Sequence, residues 1–412
     1  MDRIAARFGR VEPRRRARQL VLGLLSDLPR KNCWTIAEHV GDRSPDGLQH
    51  LLAEARWDHD GVRDDLRAYV VAGLGSQNAV LVVDETGDLK KGRHTVGVQR
   101  QYTGTAGRVE NAQVGVYLAY ATDAGHAFID RELYLPRSWA DDRERRAAAG
   151  VPAEVEFATK PTLARQMIAR ALDAGVAAGW VAGDEVYGAD PGLRGELEAR
   201  GVGYVLAVGS DRRVVTGAGI MRADEAARAL PRSAWQQLSA GNGAKGPRLY
   251  DWALVDIDTD QPGQRWLLVR RNHTTGELAY YRCYSPQPVP LATLVKVAGR
   301  RWTVEEGFQT GKGLCGLDEH QVRRWVSWHR WTILAVAAHA YVAVLAARER
   351  STQTDHDEQI PITCNEIQHL LTRLIIRPTH HPRHCLAWST WRRRHQHRAR
   401  TCHYQRRTRC RP

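Results

Sequence analysis

Three carboxylates occupy positions from which they could bind metal ions. Asp84 follows the apolar run 79–83, Asp184 follows the apolar run 180–183, and Glu305 lies in a charged segment further along the chain. Two divalent cations roughly 3.5 to 4 Å apart can stabilise both the attacking and the leaving oxygen of a phosphodiester, and such hard cations prefer carboxylate oxygens. We therefore expect Asp84, Asp184 and Glu305 to be catalytic residues that hold two Mg²⁺ or Mn²⁺ ions for phosphoryl transfer.

A simpler role is open to each aspartate, because an Asp at the end of a strand often caps the turn that follows. Ligand crevices of α/β sheets open beyond the carboxyl ends of the strands, and this position favours metal binding. The neighbouring acids Glu185 and Glu306 are one residue further on, so they point in other directions. We expect them to have supporting or surface roles.

Arg301 and Lys312 flank Glu305 at a spacing typical of one helix face. The three residues stand at i, i+4 and i+11, which places them on one stripe of an α-helix. Arg301 would hold a DNA phosphate through its two-pronged guanidinium, and Lys312 would hold one as a point charge. For both residues the simpler alternative is an ion pair with Glu305 or Glu306 on the helix surface, which is worth little energy. Glycines beyond Glu306 weaken the helix, so Lys312 is expected on a frayed end or a loop.

The charge of the chain favours a polyanionic partner such as double-stranded DNA. The formal net charge is +14 and the sequence pI is near 9.7. No acidic residue follows Glu366, whereas arginines accumulate there, which predicts a basic tail. Such a run is more often a solvated tail than a folded reader of DNA, and either could neutralise phosphates. Lys90 and Lys91 follow the first strand closely enough to contact DNA, although a solvated turn explains them nearly as well.

Other features bound the compartment and the cofactors. Seven cysteines without a Cys-x-x-Cys pair fit a reducing cytoplasm, and no secretion segment is recognised. A zinc site among the histidines and cysteines of the tail matches no standard spacing and stays open. The apolar stretch 331–347 predicts a buried core helix rather than a membrane span. The sequence contains no Gly-rich nucleotide loop, so we expect no nucleotide cofactor. We also expect the protein to be cytoplasmic and associated with the nucleoid.

The apolar pattern divides the chain into five segments. Residues 1–75 predict a helical DNA-binding domain containing a helix-turn-helix, although an ordinary helical bundle explains the pattern equally well. Residues 76–208 predict the first part of an α/β core, and 209–290 a β-rich insertion. Residues 291–350 predict the last part of the core with the catalytic helix, and 351–412 the basic tail.

Within the core, the order of the elements indicates the fold class. The expected elements are strands at 79–84, 95–102 and 113–121, an extended piece at 128–136, a helix at 161–175, a strand at 180–183, a helix at 193–200 and a strand at 204–208. Three antiparallel strands, a helix and a fourth strand follow one another as in a ribonuclease-H-like core. We therefore expect an α/β fold with such a catalytic core, a β-rich insertion and an N-terminal helical domain.

These residues resemble the DDE-type transposases of bacterial insertion sequences, most closely the insertion-sequence 701 group. That family ends its catalytic motif with Tyr, two residues, Arg, three residues, Glu, six residues and Lys, and Arg301, Glu305 and Lys312 meet this spacing. Ala298 replaces the tyrosine. The blocks 83–92, 97–102 and 183–188 also look like those of the group, and the likeness covers roughly residues 15 to 400.

The resemblance implies metal-dependent DNA cleavage at transposon inverted-repeat ends and joining of those ends to target DNA. It also implies a homodimer in the synaptic complex, with double-stranded DNA as partner and no membrane association. A second hypothesis is a catalytically inactive DNA-binding protein derived from a transposase. The intact set Asp84, Asp184 and Glu305 favours the active enzyme.

Overall fold

The N-terminal part of the chain is helical. In the computed structural model, which describes residues 1–75, 78–243, 246–257, 260–352, 360–376 and 381–409, it begins with a 3₁₀-helix. The α-helices that follow are α1 (Val11–Leu25), α2 (Cys33–His39), α3 (Asp46–Ala53) and α4 (His59–Leu74). The side chain of Asn32 begins α2 by accepting from the backbone N–H groups of Trp34 and Thr35, which satisfies two donors that a helix start leaves free.

The two helices of the predicted helix-turn-helix pack as members of a bundle. Leu48, Leu51 and Leu52 of α3 are buried in the main core together with Leu20 and Leu24 of α1. The helical content agrees with the prediction for residues 1–75, and the packing is that of the simpler alternative. A DNA-binding role for these helices stays a prediction.

A mixed sheet forms the centre of the molecule. Its strands and a small hairpin are β1 (Val80–Leu89), β2 (Gln99–Thr103), β3 (Arg108–Ala121), β4 (His126–Leu133), β5 (Trp180–Gly183), β6 (Gly203–Val208), β7 (Arg213–Thr216), β8 (Gly219–Arg222), β9 (Gln236–Gly243), β10 (Gly246–Asp256), β11 (Gln264–Arg271) and β12 (Leu278–Ser285). The order in the large sheet is β2-β3-β1-β5-β6-β12-β11-β10-β9, with β4 also paired to β3, while β7 and β8 pair with each other.

The sheet has two parts that differ in the direction of strand pairing. β1 runs antiparallel to β3 and parallel to β5, and β5 runs parallel to β6. From β6 onward, the strands β12, β11, β10 and β9 pair antiparallel. The β-rich insertion therefore extends the edge of the core sheet instead of forming a separate layer.

Three details of the strands differ from the sequence prediction. The first strand does not end at Asp84 but continues to Leu89, because it pairs with β3 beyond the point where its pairing with β5 stops. The piece at 128–136 is not merely extended, since β4 pairs with β3. The segment 95–102 forms a strand only from Gln99 onward.

The remaining helices flank the sheet or lie after it. They are α5 (Arg137–Ala140), α6 (Arg143–Ala149), α7 (Lys160–Asp173), α8 (Glu185–Gly188), α9 (Pro191–Ala199), α10 (Ala223–Arg228), α11 (Leu291–Arg300), α12 (Trp302–Cys315), α13 (Trp325–Thr352), α14 (Cys364–Leu374) and α15 (Pro382–Arg409). A 3₁₀-helix at Arg232–Ala234 precedes β9. The helix predicted at 161–175 is α7, which starts where Thr159 accepts from the backbone N–H of Thr162.

The predicted catalytic helix is two helices that meet at Arg301. The backbone N–H of Arg301 donates to Ala298 and that of Val304 to Arg301, so the joint has the tighter i→i+3 bonding. α12 then continues to Cys315, with Lys312 inside its last turn. The expectation of a frayed end or loop at Lys312 was therefore wrong. Gly307 faces Phe128 closely and Gly311 faces Leu317, and packing against the core offsets the low helix propensity of these glycines.

Helix α13 fills the core. Among the described residues, it is the one helix that is long and apolar enough to cross a membrane, and 83% of its most apolar window is buried inside the protein. Its apolar side chains contact other elements of the main core, as predicted for a core helix. The basic tail, in contrast, is not simply a solvated run, because it contains α14 and α15.

Candidate active site

The two aspartates lie side by side where the parallel pairing of β1 and β5 ends. The last paired residues are Val83 on β1 and Gly183 on β5, so Asp84 and Asp184 follow at the same level of the sheet. Each uses its Oδ1 atom locally: that of Asp84 accepts from the backbone N–H of Glu85 at 2.8 Å, and that of Asp184 from the N–H of Val186 at 2.9 Å. Asp184 therefore caps α8 as well as facing the site.

Burial and like charge make this pair costly to ionise. Burial and the neighbouring Asp184 raise the pKa of Asp84 to about 7, although Arg301 opposes the shift. Burial and the Glu85 carboxylate raise the pKa of Asp184 above its ordinary value. The crevice therefore holds more negative charge than its own cations compensate.

Arg301 connects the third carboxylate to the first. Its Nη2 atom lies 2.8 Å from Oε1 of Glu305, and its Nη1 atom lies 3.5 Å from Oδ2 of Asp84. Arg301 also opposes the rise in the pKa of Asp184, which places its positive charge near that residue too. The fold thus gathers Asp84, Asp184, Glu305 and Arg301 into one cluster, although Glu305 lies 221 residues after Asp84 in the numbering of the chain.

The donor set of this cluster suits hard cations. Its ligands would be carboxylate oxygens alone, with no thiol or imidazole, and a bound cation would relieve the repulsion that raises the pKa of Asp84. Across the described ranges, no three His, Cys, Asp or Glu side chains are already arranged around a single cation position. Instead, the guanidinium of Arg301 supplies the positive charge between Asp84 and Glu305.

A fourth carboxylate lies beside the aspartates and was not predicted from the sequence. Glu85 accepts from Nζ of Lys160 at 2.6 Å and from the hydroxyl of Tyr187 at 2.5 Å. These donors come from α7 and α8, 75 and 102 residues away in sequence. In the sequence, the only local signal for Glu85 is that it follows the predicted ligand Asp84, and the only one for Tyr187 is that it lies near Asp184. Lys160 and Tyr187 hold Glu85 in a fixed orientation next to the cluster.

Lys312 lies in a second polar cluster, beside the last residues of β1. Its Nζ atom lies 3.5 Å from Oδ1 of Asp88 and 3.3 Å from the carbonyl of Gly87. Asp88 also accepts from Nε2 of His320 at 3.1 Å. Burial opposes ionisation of Asp88, but His320 and the lysines lower its pKa overall. Asp88 is therefore an ionised partner that orients Lys312.

The remaining predicted DNA contacts differ in exposure. Lys90 is largely buried, and its Nζ atom lies 3.1 Å from the carbonyl of His320, with its pKa lowered by burial. Lys91 is exposed. Glu185 and Glu306, the acids that follow Asp184 and Glu305 in the sequence, are exposed too. Exposure of the two acids agrees with the surface roles predicted for them. Contact of Lys90, Lys91, Arg301 and Lys312 with DNA stays a prediction.

Two protein families match most of the chain. Residues 3–241 match the family described as DDE superfamily endonuclease, and residues 152–342 match the family described as transposase DDE domain. The chain is 32% identical over 197 residues to a protein of Microchaete diplosiphon named probable transposase for insertion sequence element IS701. That match covers 47% of this chain and 49% of the relative, about half the length of each.

Among solved structures, the chain is similar to the piggyBac transposase in a synaptic complex with hairpin DNA. The two are 13% identical, and the TM-score is 0.42. The alignment covers 87% of this chain and 70% of the other. The family matches and the curated relative confirm the resemblance that the sequence motifs predicted.

Proposed function

Because this chain belongs to the DDE endonuclease superfamily, we propose that it is a DNA transposase. In this proposal it cleaves at the inverted-repeat ends of a transposon and joins them to target DNA by metal-dependent phosphoryl transfer. It acts on double-stranded DNA as a homodimer in the synaptic complex. The observation that carries the proposal is the register of β1 and β5, which sets Asp84 beside Asp184 and within reach of the Arg301–Glu305 pair.

The strand order supports a ribonuclease-H-like core for this function. β4, β3, β1, β5 and β6 lie in that spatial order, with β1 central and parallel to β5. Such an arrangement opens a crevice beyond the point where the parallel pairing of β1 and β5 ends, and the two aspartates lie there. The α/β architecture and the site are thus consistent with one another.

Asp84, Asp184 and Glu305 would hold two Mg²⁺ or Mn²⁺ ions, which when bound stabilise charge on the attacking and leaving oxygens of the phosphodiester. The residues of the chain orient the DNA around that site. Arg301 has a planar guanidinium that can turn from Glu305 to a phosphate, because both are bidentate acceptors of similar geometry. Lys312, oriented by Asp88, supplies a second positive charge on the same face of α12.

The decisive experiment measures cleavage of a labelled duplex that carries the end of the element encoding this chain. After treatment with chelator, Mg²⁺, Mn²⁺, Ca²⁺ and Zn²⁺ are added back separately. Mg²⁺ and Mn²⁺ should restore cleavage, whereas Ca²⁺ should support binding without turnover, because its longer coordination misplaces the attacking oxygen. Cleavage in EDTA, or rescue by Zn²⁺ alone, would contradict the mechanism. End binding without cleavage under any cation would favour the inactive, transposase-derived DNA-binding protein.

A further inference from the structure

The C-terminal helix α15 is docked on the N-terminal helices by one of its faces. The buried Trp388 donates from Nε1 to the carbonyl of Asp42 at 2.7 Å, and His384 contacts the carbonyl of Glu38 at 3.0 Å. Arg392 forms an ion pair with the Glu38 side chain. The contacts recur along α15 at i, i+4 and i+8, so they form a single helical stripe.

Aromatic packing continues this stripe. Trp391 lies edge-on to Trp34 of α2 with ring centroids 4.7 Å apart, and it contacts Trp388 at 5.2 Å. His395 stacks on Trp391 at 5.2 Å and meets Trp34 at 4.7 Å. The start of α15 is therefore held rigidly against the second N-terminal helix, although more than 340 residues separate them in sequence.

The other faces of α15 carry exposed positive charge. The exposed arginines with described side chains on this helix are Arg383, Arg393, Arg394, Arg398 and Arg400. In the part of the chain that the structure describes, no carboxylate lies within ion-pair distance of any of the five. They extend over about 26 Å of helix at 1.5 Å per residue, which corresponds to about eight base pairs of duplex at 3.4 Å each.

A groove borders this charged face. It has a volume of about 1180 Å³ and is lined from α15 by Arg383, Arg393, Arg394 and Arg398, and from the turn between α2 and α3 by Arg43. The other residues that line it also belong to α15, so Arg43 is the contribution of the N-terminal part of the chain. We call this surface, made of Arg43 and the exposed arginines of α15, the composite basic groove.

We propose that the composite basic groove binds the phosphate backbone of double-stranded DNA outside the active site. The inference rests on the proposed function, and it names the part of the chain that holds the DNA. Arginine is suited to this role because its fork pairs with phosphate oxygens. Because the docked stripe fixes these arginines in space, they neutralise phosphates as an ordered array, unlike the charges of a loose tail.

The binding should depend on salt and not on base sequence. Each phosphate contact releases counterions and contributes about 0.9 to the slope of log affinity against log salt. Contacts to phosphate position a protein on the duplex without reading bases. A labelled duplex of arbitrary sequence is therefore a sufficient probe.

The first test removes charge from the groove. The triple variant Arg393→Gln, Arg394→Gln, Arg398→Gln leaves the docked stripe unchanged. It also preserves helix propensity, because Gln, like Arg, is a good helix former. Its affinity should fall roughly tenfold to a hundredfold near 0.1 M salt, and the slope should fall by about 2.7. The matched control removes the same charge from exposed arginines of the β-rich insertion, as Arg212→Gln, Arg213→Gln, Arg232→Gln. Equal effects of the two triple variants would overturn the proposal.

The second test undocks α15 without changing its charge. Trp388→Ala removes the buried contact with Asp42 in the turn after α2, so affinity and slope should fall although the net charge is constant. Cys385→Ala, at an exposed position of the same helix that does not line the groove, is the control and should bind as the parent does. Where Trp388→Ala alters the circular dichroism of the whole chain, Glu38→Gln replaces it. That variant gains positive charge yet should bind more weakly, and unchanged or tighter binding would overturn the proposal.

The outcomes separate this inference from the proposed function. Groove-dependent binding by a chain that never cleaves any duplex with any cation would refute the proposed function and leave the groove in place. Cation-dependent cleavage of transposon ends by a groove triple variant with unaltered affinity would refute the groove and leave the proposed function in place.

Discussion

Nη2 of Arg301 lies 2.8 Å from Oε1 of Glu305, one helical turn further along α12. On an exposed helix such an i, i+4 pair contributes little. Here the same guanidinium also lies 3.5 Å from Asp84, a residue whose pKa is raised to about 7 by burial and by Asp184. Arg301 therefore acts as the counter-charge of the carboxylate cluster when no other cation is present.

Arg301→Gln should strengthen cation binding while weakening catalysis. The change removes a positive charge that competes for Asp84 and Glu305, so the dissociation constant for Mn²⁺ should fall roughly threefold to tenfold. Cleavage should slow because the phosphate fork is lost. Titration calorimetry with Mn²⁺ measures the first effect. Arg300→Gln, which removes the adjacent arginine paired with Asp123, is the control; equal or weaker Mn²⁺ binding by Arg301→Gln would refute the competition.

Asp84→Asn, Asp184→Asn and Glu305→Gln should each abolish cleavage and leave DNA binding nearly unchanged. Each change removes one anionic ligand but little of the surface that contacts phosphates. Nicking and gel shift are measured in parallel for each variant. Glu185→Gln and Glu306→Gln alter exposed neighbouring acids and should cleave normally. Retained cleavage by any of the first three variants would remove that residue from the site.

Tyr187→Phe should destabilise the fold through Glu85. The buried Tyr187 hydroxyl donates to that carboxylate at 2.5 Å, and a hydrogen bond to a charged group contributes about 1.5–3 kcal/mol. The free energy of unfolding in urea should fall by about that amount, with no change in the denaturant slope. Tyr102→Phe, at a position 65% exposed, should leave it unchanged. Equal stabilities of parent and Tyr187→Phe would show that Lys160 alone satisfies Glu85.

His339 should make the protein less stable in mild acid. Burial, with His126 nearby, lowers the pKa of His339 to about 3, whereas the unfolded chain titrates near 6.5. Between these values the unfolded state binds the extra proton, so stability is complete above about pH 6.5 and is lost as the pH falls. The loss is at most about 1.4 kcal/mol per pH unit for one group.

His339→Leu should remove this contribution, so its free energy of unfolding should fall less between pH 7 and pH 5 than that of the parent. Urea unfolding at the two pH values measures the difference. His94→Leu, at an exposed position, is the control and should follow the parent. A parent and a His339→Leu variant with the same pH dependence would show that His339 does not carry the acid sensitivity.

Local patterns in the sequence determined several elements of this protein. The apolar runs ending before Asp84 and Asp184 predicted β1 and β5, and the helix predicted at 161–175 is α7, which begins at the Thr159 cap. The long apolar stretch predicted the core helix α13. These elements are readable because burial imposes its period on neighbouring residues, and caps act over three or four residues.

Other features were decided by the tertiary structure alone. Pairing partners made β4 a strand and attached the β-rich insertion to the edge of the core sheet. The contacts of Arg301 with Asp84 and of Tyr187 with Glu85 join residues 217 and 102 positions apart. No local period encodes such distances, because they depend on strand register and on how helices pack across the sheet.

The C-terminal helix shows both contributions together. Composition alone predicted a basic segment and no helix, although Trp388, Trp391 and His395 stand at helical spacings of three and four residues within it. Which surface that stripe would contact could not be read from the chain, since its partners Trp34, Glu38 and Asp42 lie near the other terminus. The sequence by itself determined only that this segment is basic. Only the tertiary structure decided where its charges are held, because docking requires the complementary shape of helices folded far away in sequence.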